Sequence, residues 1–451
     1  MTRARMDGVY LMVIGFTAFL LVGLSAQYTR PPNLLADFKG VYICSRCLLE
    51  HCDPYQVDQL EAVFMREGGA KAADPGVIRG GFARCVYPPS MFLFVFPFAL
   101  LSWIPASLAW VAVAALVFSL SGFLIWNQGS KHAPIITGGM IGLWFGTSAV
   151  IFGNGNPAGF VVGLCALAVW CFLTEKYVPA GIVCLAISLA IKPQDSGFVW
   201  LYFLLAGGVY RKRALQTLAL VLLFAFTGAV WVSLISPHWL KEWHANLSVI
   251  SAHGGINDPV TAGLSGGMVS PIIGLQSALA VFSQNPSIYN PLTYLLTGAL
   301  LLIWALATLR SRPSQTGAWL ALAVIAPLTM LVTYHRLYDA KLLLLTIPAC
   351  AMLWQKGGWT GRLAFWVNTL GIFLTGEFSG GNLVAFARHL HISATGLAGK
   401  LEAVVLTRPF PVVLLIMTCF YLWVYVRRAP DLAAMEKASG PLDRPTAASP
   451  A

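Results

Sequence analysis

The sequence predicts an all-α integral membrane protein, a polytopic helical bundle of about 12 transmembrane helices with a long first external loop. Three observations predict it. Of 451 residues, 57% are hydrophobic and 10% are charged, with a mean hydropathy of +0.72. A soluble domain carries about 25% charge, so one aqueous core cannot hide this much apolar surface and lipid must be the solvent for much of it. Long apolar runs prevail over alternating patterns, which favours helices over a barrel. Finally, basic residues recur in every second connection between runs.

Twelve apolar runs lie near 9–28, 106–126, 134–152, 157–174, 178–192, 195–209, 214–236, 291–309, 316–334, 340–354, 362–377 and 404–426. The first is too long for a secretory signal and lacks its small-residue cleavage site, so it reads as a retained signal anchor. The stretch 88–126 exceeds one simple helix, and Pro97 and Pro105 are candidates to break it into an interfacial piece and a span. With both termini inside, the cytoplasmic connections hold Arg3, Arg5, Lys131, Lys176, Arg211-Lys212-Arg213, Arg310, Arg312, Lys356, Arg362 and Arg427-Arg428. This is the positive-inside pattern, and it accounts for much of the net charge of +11. The basic residues are scattered between spans and form no single face, which argues against nucleic acid as a partner.

On this topology, residues 1–428 form the transmembrane domain and 429–451, rich in Ala and Pro, a disordered cytoplasmic tail. The external parts are the first loop (29–90), "GNGNP" at 153–157, "IKPQDS" at 191–196, a loop at 237–290, "YHRLYD" at 334–339 and a loop at 378–403. Unusual polar residues collect there: Asp37, Asn154, Asn156, Lys192, Gln194, Asp195, His335, Arg336 and Asp339. Ionisable groups beside hydrocarbon are expensive, and four such turns on one side point to a shared site. Cations suit a lipid-borne phosphate. A carboxylate suits a general base acting on an acceptor hydroxyl.

The segments "DFKGVYICSRCLLEHCDPYQ" (37–56), "YPPSMFLFVFPFALLSWIPASLAW" (87–110), "GNGNP", "IKPQ" followed by "YRKRA", and "YHRLYDAKLLLL" (334–345) together resemble the ordered motifs of family 87 glycosyltransferases. The resemblance implies a GT-C type fold in a multi-pass plasma-membrane protein, with its active site on the external or periplasmic face. It implies transfer of a hexose, mannose above all, from a polyprenyl-phosphate sugar to a glycolipid or glycan hydroxyl, with inversion. The lipid-linked donor is a co-substrate, and no other cofactor and no metal is expected. Asp37 is the implied base. Lys192 and Arg336 are candidates for the donor phosphate, and His335 for the phosphate or sugar. Asp339 would orient His335 or hold the acceptor, and Tyr42, Asn156 and Gln194 complete the substrate-binding set. Asp53 and Asp58 stay open as alternative bases.

The first loop also holds Cys44, Cys47, Cys52 and Cys85. Outside the membrane these suggest two disulfides, with three pairings possible; a zinc site is the alternative. A different class of function, a secondary transporter or a lipid or glycan translocase, would place ionisable residues at mid-membrane depth in broken helices. Here they lie at external span ends.

Overall fold

The computed structural model describes residues 2–29, 35–67, 84–148, 150–261, 271–311, 314–376, 386 and 395–438. The long insert of the first loop and most of the 378–403 loop therefore lie outside the described residues. The chain is α-helical. In order, the helices are α1 (Arg3–Thr29), α2 (Ala36–Leu49), α3 (Val57–Arg66), α4 (Pro89–Ala99), α5 (Trp103–Gly129), α6 (Pro134–Gly146), α7 (Val150–Asn154), α8 (Pro157–Thr174), α9 (Val178–Ile191) and α10 (Pro193–Ala206). They continue with α11 (Gly208–Ser233), α12 (Trp239–Ser251), α13 (Leu275–Leu279), α14 (Pro286–Arg310) and α15 (Gln315–Val332). A 3-10 turn (Asp339–Thr346) then leads to α16 (Ile347–Lys356), α17 (Gly358–Leu374), α18 (Gly396–Thr407) and α19 (Pro409–Ala438).

A helix answers each of the twelve apolar runs. Among the described residues, seven (α1, α5, α8, α11, α14, α15 and α19) are long and apolar enough to cross a membrane, and α4, α6 and α9 are shorter apolar helices. Proline in the first turn opens α4, α6, α8, α9, α10, α14 and α16, where its missing N–H leaves no bond unmade. The break in 88–126 falls at Leu100–Ser102. Pro97 stays inside α4, and Pro105 sits in the first turn of α5. Helix α19 continues to Ala438, ten residues into the stretch expected to be disordered. The sequence there, "DLAAMEKA", is built from good helix formers.

Helices α8 and α15 run through the interior, whereas α1, α11 and α14 turn most of their length outward. The outward side chains are apolar, among them Ile14, Leu24, Phe226 and Leu295, as a lipid-facing surface requires. Two cores result. The larger fills the bundle around α8, α15 and α16. The smaller lies under the first loop, where α2, α3 and α4 pack on Trp110, Val161 and Ile191. Helix α1 is held to α6 by backbone approach: a Cβ on Gly15 would lie 2.0 Å from the Gly142 carbonyl oxygen, and one on Gly138 would lie 2.0 Å from that of Gly8. Small residues let membrane helices meet this closely.

Candidate active site

Asp37 sits in the first turn of α2, where a carboxylate is favoured by the helix dipole. The turn before α8 fixes that helix end. The Leu35 N–H donates to the Gly153 carbonyl at 3.0 Å, and Trp110 Nε1 to the Gly155 carbonyl at 2.9 Å. Phe38 stacks on Trp110 with ring centres 4.7 Å apart. Gly155 has φ +61°, and a Cβ there would fall 2.9 Å from both Leu35 Cδ2 and Phe38 Cβ. Only glycine meets both demands. Next to it, Asn156 Nδ2 donates to Asp37 Oδ2 at 2.8 Å, while Asn156 Oδ1 accepts from the Ala158 N–H, also at 2.8 Å, and caps α8.

A second group of charges assembles from the α9–α10 turn and the segment after α15. Lys192 Nζ pairs with Asp339 Oδ1 and lies 3.3 Å from Asp195 Oδ2. On the other side of Asp195, His335 Nε2 lies 3.3 Å from Oδ1. All four side chains are buried. Asp339 Oδ2 accepts from the Arg336 N–H at 2.8 Å and closes the turn. The His335 carbonyl accepts from the Ile273 N–H at 2.9 Å, tying this segment to the 237–290 loop. Arg336 Nε donates to Tyr334, and Nη2 donates to the Ile256 carbonyl at 2.5 Å and to Asn257 Oδ1 at 3.2 Å. The 254–261 turn is itself ordered by buried Asp258, which accepts from the Gly254 and Val260 N–H groups. Arg408, at the start of α19, binds its Pro259 and Val260 carbonyls.

The two groups share one electrostatic environment. Burial pushes the Asp37 carboxyl above the usual carboxylate range, while the Asn156 hydrogen bond and the charges of Arg336 and Lys192 pull it back. Burial would lower His335, but the contact with Asp195 outweighs it and holds the imidazole above its ordinary value. Lys192 is likewise held protonated by Asp195 and Asp339 against its burial. Tyr87 and Tyr338 feel the Asp37 charge as well, and burial holds both phenols neutral. The result is a carboxylate within the field of a cationic cluster, with two buried phenols in the same field. Such a site can accept a proton at one end and stabilise an anion at the other.

Of the residues singled out in the sequence, Asp37, Asn156, Lys192, His335, Arg336 and Asp339 come together. Tyr42 does not: it points into the smaller core, and its hydroxyl donates to the Leu101 carbonyl at 2.9 Å. There it satisfies a carbonyl in the link between α4 and α5. Gln194 is exposed on the outside of its turn, because Asp195, one residue on, takes the inward position. In the first loop, Cys47 and Cys52 form a disulfide, whereas Cys44 and Cys85 are buried thiols. Asp53 accepts from the Tyr55 N–H in its own turn, and Asp58 lies in α3. Asp195, named among the polar span-end residues but given no role, joins the site, and so do Tyr87, Tyr334 and Asn257, which had not been chosen for it. Asp195 follows Lys192 by three residues, a spacing that pairs side chains on one helical turn and was readable in the sequence.

The profile of glycosyltransferase family 87 matches residues 86–334, more than half of the chain. The chain belongs to glycosyltransferase family 87. It is therefore a multi-pass membrane glycosyltransferase. The family 87 match takes in Tyr87, Asn156, Lys192 and Asp195; Asp37 lies before it and His335 one residue beyond its end. No curated protein matches the chain.

Proposed function

We propose that this family 87 enzyme transfers a hexose, mannose in the first instance, from a polyprenyl-phosphate sugar to a hydroxyl of a glycolipid or glycan on the external face of the plasma membrane. The observation that carries the proposal is the juxtaposition of Asp37, fixed by Asn156, with the Lys192, His335 and Arg336 cluster. Asp37 takes the proton of the acceptor hydroxyl. The acceptor oxygen attacks the anomeric carbon as the bond from that carbon to the phosphate oxygen breaks, so the configuration inverts in one displacement. The electron pair leaves on the polyprenyl phosphate. Lys192, His335 and Arg336 supply positive potential to that leaving group, and preorganised charge of this kind is usually the largest catalytic contribution. A carboxyl raised above its usual range is a stronger base for the first step. The lipid donor approaches sideways from the bilayer, which explains a site built at span ends, and the lipid-linked sugar is the only co-substrate the scheme needs.

The test is transfer from radiolabelled polyprenyl-phosphate mannose to a membrane-lipid extract by purified protein in liposomes, with Asp37→Asn alongside. Transfer by the parent and none by the folded, donor-binding variant supports the reading. Equal transfer by both moves the base elsewhere. No transfer by the parent, with other polyprenyl-phosphate hexoses also inert, rejects the donor class.

A further inference from the structure

We infer that Cys44 and Cys85 are a second oxidation site, closing a disulfide that ties the helix of Asp37 to the segment of Tyr87. Both thiols are about 1% exposed and share the smaller core, where each lies within the other's electrostatic influence. Cys44 is on α2, seven residues after Asp37 and so two turns along the same helix. Cys85 precedes Tyr87 by two residues. The two strands of chain are already aligned by other contacts. Asn246 Nδ2 donates to the Tyr55 carbonyl at 3.0 Å and the Cys85 carbonyl at 3.3 Å, and the Tyr55 hydroxyl donates to the Tyr87 carbonyl at 2.8 Å. The neighbouring pair, Cys47 and Cys52, is already joined.

The chemistry is thiol–disulfide exchange. One thiolate attacks a sulfur of a disulfide oxidant, as found on the outer side of a plasma membrane. The second displaces that oxidant, which leaves as its dithiol carrying both protons. Burial pushes the folded Cys44 thiol well above its ordinary range, so the exchange belongs to folding, and the finished bond is shielded from reductants. The inference rests on the external placement of the first loop proposed above. Its test uses no sugar transfer, so the two can fail separately.

The chain has nine cysteines, five of them (Cys165, Cys171, Cys184, Cys350 and Cys419) outside the first loop. Protein purified without reductant is unfolded in denaturant and alkylated, and the labels are counted by mass spectrometry. Five labels support the inference; seven, with Cys44 and Cys85 among them, or nine overturn it. Cleavage after Lys39, Arg46 and Arg66 places Cys44 in one peptide and both Cys47 and Cys52 in the next. The 40–46 peptide should be linked to the peptide that begins at Cys85, and linkage to the 47–66 peptide instead rejects the pairing. Cys44→Ser should expose Cys85 and add one label. The count on the parent protein decides the matter even if that variant does not fold.

Discussion

The Asn156 side chain holds Asp37 with its amide nitrogen and caps α8 with its amide oxygen, at 2.8 Å in both cases. The two jobs can be separated by substitution. Asn156→Asp keeps an oxygen for the cap but replaces a donor to Asp37 with a second carboxylate. The hydrogen bond that now lowers the Asp37 pKa is lost, and like charge raises it further. The acid limb of the pH–rate profile should move to higher pH in this variant, with a drop in melting temperature that shrinks as pH falls and the new carboxyl pair takes up a proton. Asn156→Ala should also lose the cap, at about 1 kcal/mol.

Asp37→Asn should lower transfer by about 10²-fold or more, the usual range for removing a general base. Donor affinity should change far less, because the cationic cluster is intact. Measuring kcat and donor binding side by side separates the two.

Activity should fall at both ends of the pH range. At the acid end it is lost as pH falls through the Asp37 pKa, which lies above 3.8. At the other end the sign is that of a group gaining a partner. His335 is raised above 6.5, so the stability of its pair with Asp195 is fully present below 6.5 and is lost as pH rises through the higher folded value. Asp195→Asn should lower the His335 pKa and draw the alkaline limb of kcat/KM downward. An unchanged limb would detach His335 from the profile.

Lys192→Met leaves Asp195 and Asp339 buried without their shared cation. Breaking a buried pair in this way costs about 3–5 kcal/mol. Thermal unfolding in detergent should show a large drop, and the double variant Lys192→Met with Asp339→Asn a smaller one. Additive losses would mean that the two residues are not coupled.

Gly15→Val should undock α1 from α6, since its new side chain meets the Gly142 backbone. Gly139, on α6 at the same seam but with only Leu11 Cδ1 at 3.8 Å, is the control, and Gly139→Ala should be tolerated. Limited proteolysis of α1 and residual transfer would report the difference.

The helices were legible in the sequence because lipid makes hydropathy a direct reading of what must be buried. The prolines that open α4, α6, α8 and α9 marked their starts. That 88–126 breaks was legible too, but its place at 100–102 was not, because Pro97 fits within α4 and the stop is set by what its end meets: Tyr42 and Arg46 bind the Leu101 and Ala99 carbonyls. That same contact removed Tyr42 from the site. Asp37, Lys192, His335 and Arg336 were legible as costly charges near span ends. Gln194 misled because it and Asp195 are neighbours in the first turn of α10, where successive side chains point about 100° apart, and polarity alone does not say which faces inward. Asn257 had no signal, since its place depends on Asp258 and Arg408 folding a distant loop.

Lys192 pairs with a partner three residues away and with another 147 residues away. During synthesis the α9–α10 hairpin leaves the ribosome long before Asp339 exists. Asp195 lets that hairpin settle at the bilayer with its ammonium group already compensated. The acid that later joins the site thus first serves as an escort, and a nascent chain carrying Asp195→Leu should stall at membrane insertion of α9–α10, before any active site has formed.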